Sequence, residues 1–386
     1  MKAKRFFLKL LILSIPFNEL SVILPQIRVP TFIFFLYLLV AIGSFRYSDV
    51  KYIKKPLLTI LLLYCVIALS SYLKFVPGYN FGFSFLRQFA IYIVFFYFIT
   101  IEFINGTLKL NEILKFYNTG IYLFLSMVIL GIDTNFKDGR LSILGTNANL
   151  VGVFCVSSIL ITVYFYRVTG NKQSYHHFIF FAKILLLLIA IASTGSRGAF
   201  FSTLITLGLY IVLLQKSSLK RIQYVFIAIF LGGAVSAIML AGGPLAERLL
   251  GGEEELAASR TEIWEAALEV LGNNYFMGIG LFTYQRNIEA LMGRMFAVHN
   301  EFLAIFVYSG IVGILLLFFF LRGVIKGAIS FYNRFKNPIF FSLLFGILFA
   351  ASKGGGIFIS INTWFFFSLI YASKYFVPQK QHDNIS

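Results

Sequence analysis

Four histidines occur in this 386-residue sequence, and one of them, His299, stands where a long polar stretch meets an apolar run. The dipole of a helix that begins there favours a neutral imidazole, which can accept a proton from a hydroxyl group. His176, His177 and His382 lie in other polar connections. We therefore interpret His299 as a candidate general base. A histidine that only caps the helix or sits at an interface is the alternative.

A group of small residues at 193–199 (STGSRGA) separates two apolar runs and carries Arg197. Small residues permit a tight reversal and a close approach of the backbone to a ligand. A guanidinium group suits a diphosphate because its planar fork donates hydrogen bonds in pairs and its charge is not titrated away. Arg197 is therefore a candidate anion ligand. An arginine that snorkels to lipid phosphates from a tight turn is the alternative.

The longest polar stretch, residues 241–298, carries a third candidate. Ser259, Arg260, Thr261 and Glu262 have the spacing of a capping box, and the apolar residues that follow recur every three or four positions. This pattern predicts a short amphipathic helix whose first turn contains Arg260, where exposed backbone N–H groups already favour an anion. Its predicted apolar face consists of Ile263, Trp264, Ala267, Leu268 and Leu271. A helix that lies on the membrane surface is the alternative explanation of this face.

The same stretch, residues 241–298, contains only weak signals for a metal site or a nucleotide site. Three successive residues, Glu253, Glu254 and Glu255, cannot all face one ion on a regular element, so a solvated run is favoured. The turn at 273–280 (NNYFMGIG) contains glycines but lacks the strand–loop–helix context of a phosphate-binding loop. We therefore predict no metal site and a chemistry that does not depend on a metal ion.

These residues belong to a chain that is 59% hydrophobic and only 13% charged, whereas soluble domains contain about a quarter charged residues. Apolar runs of roughly 18 to 22 residues fit transmembrane helices, because a bilayer core about 30 Å thick needs about 20 helical residues. The formal net charge of +17 is spread over short loops, which membrane topology explains better than nucleic-acid binding does. Cys65 and Cys155 lie in apolar runs without the spacing of a metal or disulfide site.

The fold class that we predict is all-α: a polytopic membrane protein with about twelve transmembrane helices and one long loop that contains short amphipathic helices. The predicted segments are 6–24, 29–45, 56–73, 83–104, 113–132, 147–166, 178–194, 198–214, 222–240, 299–321, 338–352 and 357–372. Residues 1–376 are expected to form a single transmembrane domain that includes the loop 241–298. Residues 377–386 are expected to be a disordered cytoplasmic tail.

The positive-inside rule sets the orientation. With a cytoplasmic N-terminus, twenty-one of the thirty-three Lys and Arg residues fall in cytoplasmic loops, eleven fall outside, and Lys183 lies within a helix. This predicts that both termini are cytoplasmic and that the loop 241–298 and His299 are extracytoplasmic. The eleven outer residues are Arg28, Lys74, Arg87, Lys137, Arg140, Arg197, Arg248, Arg260, Arg286, Arg294 and Lys353. Charges near the bilayer are functional candidates, although snorkelling is favoured for Arg28, Lys74 and Arg87.

Three stretches together resemble the O-antigen ligase and O-antigen polymerase superfamily of bacterial membrane glycosyltransferases. They are SRG at 196–198, SRTEIWEAALEVLGNNYFMGIGLF at 259–282 and VHNEFLAIFVYSGIVGIL at 298–315. The segment RLSILGTNAN at 140–149 is similar to an Arg…Gly…Asn stretch of the family, although Ala148 stands where proline is common. The resemblance covers the chain from about residue 140 to residue 320.

The resemblance implies transfer of a glycan en bloc from undecaprenyl diphosphate to a sugar hydroxyl at the outer face of the cytoplasmic (inner) membrane. The acceptor would be lipid A core or a growing polysaccharide, and polysaccharide-assembly proteins would be possible partners. By the same resemblance, Arg197 and Arg260 hold the diphosphate and His299 activates the acceptor hydroxyl. Arg140, together with Arg286 or Arg294, would contact the diphosphate or glycan. No cofactor is implied, because the leaving group is already activated.

Two other functions are consistent with parts of the sequence. A polysaccharide or lipid-linked sugar transporter would also have about twelve helices and a basic interior, but it needs no general base at the surface. A metal-dependent membrane glycosyltransferase is expected to carry acidic residues in its first outer loop. That loop, residues 25–30 (PQIRVP), has none, and Glu19 is the only nearby carboxylate.

Overall fold

The computed structural model of the chain is a bundle of helices joined mostly by short connections. It describes residues 2–21, 27–44, 47–75, 77–78, 80–132, 134–137, 140–169, 174–215, 260–354 and 356–376, together with positions 217, 219 and 223. The predicted segment 222–240 apart from position 223, Arg248, the glutamates at 253–255, Ser259 and the tail 377–386 lie outside these residues.

The helices of the described residues follow the apolar runs of the sequence. They are α1 (Lys2–Ser14), α2 (Val29–Ala41), α3 (Lys54–Leu73), α4 (Asn80–Ile104), α5 (Leu110–Ile129), α6 (Ala148–Thr169), α7 (Ser174–Ser193), α8 (Arg197–Leu214), α9 (Arg260–Leu271), α10 (Gly280–Met292), α11 (Glu301–Phe335), α12 (Ile339–Lys353) and α13 (Ile361–Ala372). Short 3₁₀ turns cover Ile15–Phe17, Ile42–Ser44, Tyr47–Tyr52 and Ser373–Tyr375. The all-α prediction is confirmed, apart from one hairpin.

Six of these helices are long and apolar enough to cross a membrane: α3, α4, α6, α7, α8 and α11. The chain is therefore a helical membrane protein, whereas the count of about twelve spans stays a prediction. The predicted segment 6–24 is too long, because α1 ends at Ser14 and is followed by a 3₁₀ turn that contains Pro16. Proline has no backbone N–H to donate and its ring clashes with the preceding turn of an α-helix.

The other large difference in length concerns α11. The predicted segment stops at residue 321, just before Arg322, but the helix continues to Phe335. Its 35 residues extend over about 50 Å at 1.5 Å per residue, which is more than a bilayer core. An apolar run therefore locates the membrane-crossing part of a helix and not its end.

A two-stranded antiparallel hairpin, absent from the predicted elements, follows α5. Strand β1 (Thr134–Lys137) pairs with β2 (Arg140–Ile143), with Lys137 opposite Arg140. Leu141 and Ile143 are buried, so β2 has the alternation of a strand with one face against the core. The sequence does carry a signal for this hairpin, because Asp-Gly at 138–139 is a preferred two-residue turn. The hairpin places Arg140 at the start of β2, shortly before α6.

Helix α11 has a break at Gly310 (φ 64°, ψ −162°), and the turn at residues 275–280 packs against this break. The N–H of Ile311 donates to the carbonyl of Tyr275 (2.8 Å), and the N–H of Ile279 donates to the carbonyl of Val307 (2.9 Å). The backbone groups released by the break are thus paired with the turn, as burial requires. This gives the glycine-containing turn, which is a weak candidate for phosphate binding, a clear packing role.

Gly310→Ala should destabilise the protein because its backbone conformation is nearly restricted to glycine and costs other residues of order 1–3 kcal/mol. A Cβ at this position would also lie 2.3 Å from the carbonyl oxygen of Phe276. The midpoint of thermal unfolding in detergent measures the effect. Gly323→Ala in the same helix is the matched control, since its Cβ would come no closer than 3.4 Å to a neighbouring atom, in the ring of Tyr371. Equal midpoints for the two variants would contradict the prediction.

Several basic residues contact polar or acidic partners that the predicted topology places on the same side of the membrane. Arg28 pairs with Glu19 (3.1 Å), and the Nζ of Lys74 donates to the Oδ1 of Asn274 (2.6 Å). Both basic residues therefore have protein partners, which the snorkelling interpretation does not require. At the opposite predicted side, Arg5 and Lys9 both pair with Glu112.

Candidate active site

A cleft of about 460 Å³, measured with its open mouth, lies where the N-terminal ends of α6 and α8 meet the C-terminal end of α12. Four basic residues line it, and they come from distant parts of the sequence: Arg140, Arg197, Arg260 and Lys353. Three of them are predicted site residues, so the structure brings Arg140, Arg197 and Arg260 together. All four are among the residues assigned to the outside.

Arg197 is the first residue of α8, and the local sequence fixes this helix start. The Oγ of Ser196 accepts a hydrogen bond from the N–H of Ala199 (3.2 Å), which is the geometry of an N-terminal cap. Residues 196–199 line the cleft, so the positive end of the α8 dipole is directed at it. A Cβ on Gly152 would lie 2.4 Å from that of Ala199, which explains why this break consists of small residues.

Arg140 connects the elements that surround the cleft. Its Nε donates to the carbonyl of Thr194 (3.0 Å), and its Nη2 donates to the Oδ1 of Asn149 (2.8 Å). Arg140 thereby joins β2 to the turn before α8 and to the first turn of α6. Both of these acceptors are neutral, so neither cancels the positive charge that Arg140 brings to the cleft.

Arg260 is the first residue of α9, the amphipathic helix predicted from the sequence. The buried face contains Ile263, Ala267 and Leu271 as predicted, but Leu268 is 45% exposed and Ala266 is buried in its place. The indole Nε1 of Trp264, which is half-buried, donates to the carbonyl of Val298 (2.9 Å). The helix is therefore fixed to the residue that precedes His299, which keeps Arg260 and His299 in one neighbourhood.

His299 stands immediately before α11 in a left-handed conformation (φ 54°). Asn300, and not His299, caps the helix, since its Oδ1 accepts from the N–H groups of Phe302 (3.1 Å) and Leu303 (3.2 Å). The capping interpretation of His299 is therefore wrong. Strained non-glycine residues of this kind occur often at functional sites.

The electrostatics of His299 favour its neutral form. The half-buried imidazole has a pKa below its ordinary value, first because burial disfavours the charged ring and second because Arg260 is positively charged. The predicted neutrality thus has these two physical causes, and it makes the ring able to accept a proton at neutral pH.

Three of the six predicted site residues are not among those that line the cleft: His299, Arg286 and Arg294. Arg286, on α10, is exposed and its Nε donates to the Oδ1 of Asn287 (3.1 Å). Arg294 is also exposed, and its guanidinium lies 4.5 Å from the centre of the Phe296 ring. Their contact with diphosphate or glycan stays a prediction.

Two further candidate site residues, Lys353 and Glu301, were not predicted from the sequence. Lys353 lines the cleft at the end of α12, and its only sequence signal is its position on the predicted outer side. Glu301 is 5% exposed and accepts a hydrogen bond from the N–H of Ile357 (2.8 Å), a residue of the cleft wall. A carboxylate at the start of an apolar run is a general signal that would have selected it.

In the part of the chain that the structure describes, no three His, Cys, Asp or Glu side chains are grouped closely enough to hold a metal ion. The metal-independent chemistry that the sequence predicts is a matter for experiment.

Comparison with known families adds an independent observation. Residues 182–318 match the family model described as O-antigen ligase. The match confirms the resemblance to the O-antigen ligase and polymerase superfamily over that part of the chain, which includes Arg197, Arg260 and His299. It begins after Arg140 and ends before Lys353. A comparison with curated proteins found no match.

Proposed function

We propose that this chain transfers a glycan en bloc from undecaprenyl diphosphate to a sugar hydroxyl at the extracytoplasmic face of the inner membrane, without a metal ion. The acceptor is lipid A core or a growing polysaccharide. The observation that supports this function most strongly is the convergence of Arg140, Arg197 and Arg260 on one cleft. His299 follows Val298, to which the helix that begins with Arg260 is hydrogen-bonded through Trp264.

The cleft has the chemistry that a diphosphate needs. Guanidinium groups bind phosphate oxygens through paired, charge-assisted hydrogen bonds. Three helices begin at the cleft, through Asn149 of α6, residues 196–199 of α8 and Arg260 of α9, and helix N-termini are favourable positions for anions. Lys353 adds a fourth positive charge at the end of α12. The cleft is therefore suited to the diphosphate and not only to a neutral sugar.

In the reaction that we propose, His299 accepts the proton of the acceptor hydroxyl while the hydroxyl oxygen attacks the anomeric carbon of the donor glycan. The bond between that carbon and the diphosphate oxygen breaks, and undecaprenyl diphosphate leaves with one additional negative charge. Arg197 and Arg260 offset this charge as it develops, which is the interaction that most effectively lowers such a barrier. The proton remains on His299 until water removes it.

The decisive experiment supplies purified protein with a lipid-linked repeat unit, first alone and then with lipid A core. Polymer formed from the donor alone identifies a polymerase. Product that appears only with the core identifies a ligase. If neither mixture gives a glycosylated product while the protein binds the donor and is correctly folded, the proposed function is wrong.

Transfer activity should survive removal of divalent ions with EDTA, because fixed arginine charges and not a metal ion stabilise the leaving group. Product formation before and after chelation measures this. A loss of activity that added Mg²⁺ or Mn²⁺ restores would overturn the metal-independent mechanism.

Transfer should be lost as the pH falls through the pKa of His299, which lies below the ordinary value of about 6.5 for histidine because of burial and the charge of Arg260. Above that pKa the imidazole is neutral and accepts the proton, so kcat/KM should reach a plateau there. Arg260→Gln removes one of the two causes, and the acidic limb of its residual activity should move to higher pH. Arg260→Lys keeps the charge and should leave the limb in place. If the limb of Arg260→Gln does not move, it does not belong to His299.

A further inference from the structure

A second cavity, of about 240 Å³, lies between α6, α8 and α12 and continues from the cleft into the bundle. The two spaces share Val153 and Ala350 in their walls. The second cavity extends along α8, past Ser202 to Thr206. These residues are five and nine positions after the start of α8, which places them about 8 Å and 14 Å along the helix at 1.5 Å per residue.

Two hydroxyl groups of this cavity are buried and unpaired. Ser202 and Thr206 are each only 1% exposed, and neither hydroxyl finds a hydrogen-bond partner among the described residues. Hydroxyls on helices usually return to the carbonyl four residues earlier. The neighbouring Thr203 does so, with its hydroxyl 2.9 Å from the carbonyl of Ala199. Ser202 and Thr206 thus differ from Thr203 on the same helix.

The wall opposite Thr206 leaves room for its hydroxyl. Gly346 of α12 faces it, and a Cβ at Gly346 would lie near the Oγ1 of Thr206, at 2.4 Å. A buried hydroxyl without a partner costs about 1–3 kcal/mol. Valine has the shape of threonine without this cost, so the presence of Thr206 at this depth points to a ligand that hydrogen-bonds with it.

We infer that this cavity is a water-binding site that extends the aqueous cleft along α8 to the depth of Thr206. Hydroxyl groups both donate to and accept from water, and the space has room for about one water molecule. The described side chains that line it carry no charge, which disfavours an ion. A lipid chain would leave both hydroxyls unpaired.

Hydration at this depth has a consequence that rests on the proposed function. Water beside α8 would solvate the phosphate nearest the lipid chain when the diphosphate leaves, on the side away from the cleft mouth. Access of water to this cavity can be tested without transfer activity.

Cysteine accessibility tests the inference directly. Single cysteines are introduced as Ser202→Cys and Thr206→Cys into protein that carries Cys65→Ala and Cys155→Ala, and the protein is reconstituted in liposomes. Silver ions, which are small and travel in water, are added, and the blocked fraction is measured by N-ethylmaleimide labelling after unfolding. Ser196→Cys at the cleft is the positive control. Thr203→Cys, buried on the same helix but absent from the cavity wall, is the matched negative control.

The cysteines at 202 and 206 should react with silver at least tenfold faster than the cysteine at 203. Absence of reaction at 202 and 206, while 196 reacts, would overturn the inference, and so would equal reaction at 203. Reaction at 202 alone would contradict the claimed depth. A variant less prone to misfolding, Thr206→Val, should slow the reaction of Ser202→Cys at least threefold, because it removes a hydroxyl that holds water. An unchanged rate there also counts against the inference.

Discussion

Replacing Arg197 with alanine should lower glycan transfer about 10²- to 10³-fold, the loss expected when one preorganised donor to a developing negative charge is removed. Arg197 begins α8 at the wall of the cleft, so its guanidinium adds to the backbone N–H groups of the same helix end. Arg260→Ala should cause a loss of the same order, since Arg260 occupies the equivalent position of α9. Product formation from a lipid-linked donor measures both variants.

Lysine at either position should restore activity only in part, because an ammonium group keeps the charge but not the paired donor geometry. Arg322→Ala is the matched control: Arg322 is an exposed arginine of α11 on the predicted cytoplasmic side. It should transfer glycan at the rate of the unaltered protein. Full activity in Arg197→Ala, at normal expression and thermal stability, would contradict the proposal that Arg197 binds the diphosphate of the donor.

Replacing His299 should lower transfer about 10²- to 10⁴-fold, the usual contribution of a general base, and should leave donor binding almost unchanged. His299→Ala tests this, but the left-handed backbone at this position (φ 54°) strains alanine. His299→Asn is the better-matched variant, because asparagine tolerates this conformation. Donor affinity and product formation are measured on the same preparation.

The same variants separate a transferase from a transporter of lipid-linked sugars. A transporter needs no base at its outer face, so His299→Asn would move its substrate at a normal rate. Loss of product with intact donor binding therefore favours transfer. Normal product formation in both His299 variants would show that another group accepts the proton and would end this assignment of His299.

The sequence predicts the helices well because each apolar run must satisfy its own backbone hydrogen bonds in a membrane. It also predicts that Arg197 and Arg260 lie at the starts of helices, for a related reason. Each lies at a helix start that short-range signals specify, a small-residue break before α8 and a periodic apolar pattern after Arg260. These features depend on a few neighbouring residues and can be recognised without knowledge of the tertiary structure.

The remaining features depend on contacts between distant residues. Lys353 reaches the cleft only because α12 packs against α8, and no local pattern specifies that packing. The buried face of α9 contains Ala266 in place of the predicted Leu268. Which face is buried depends on distant contacts, such as that of Trp264 with the carbonyl of Val298. The break at Gly310 appears in the sequence only as a glycine within an apolar run, and its partner is the turn at 275–280.

This break joins both parts of α11 to the turn at 275–280. Long helices tilt to match the acyl chain length of the surrounding lipid. The residues on both sides of Gly310 are hydrogen-bonded to the turn, through Val307 before the break and Ile311 after it. A change in the tilt of α11 in a thicker or thinner bilayer should therefore also move this turn, which follows the helix that begins with Arg260.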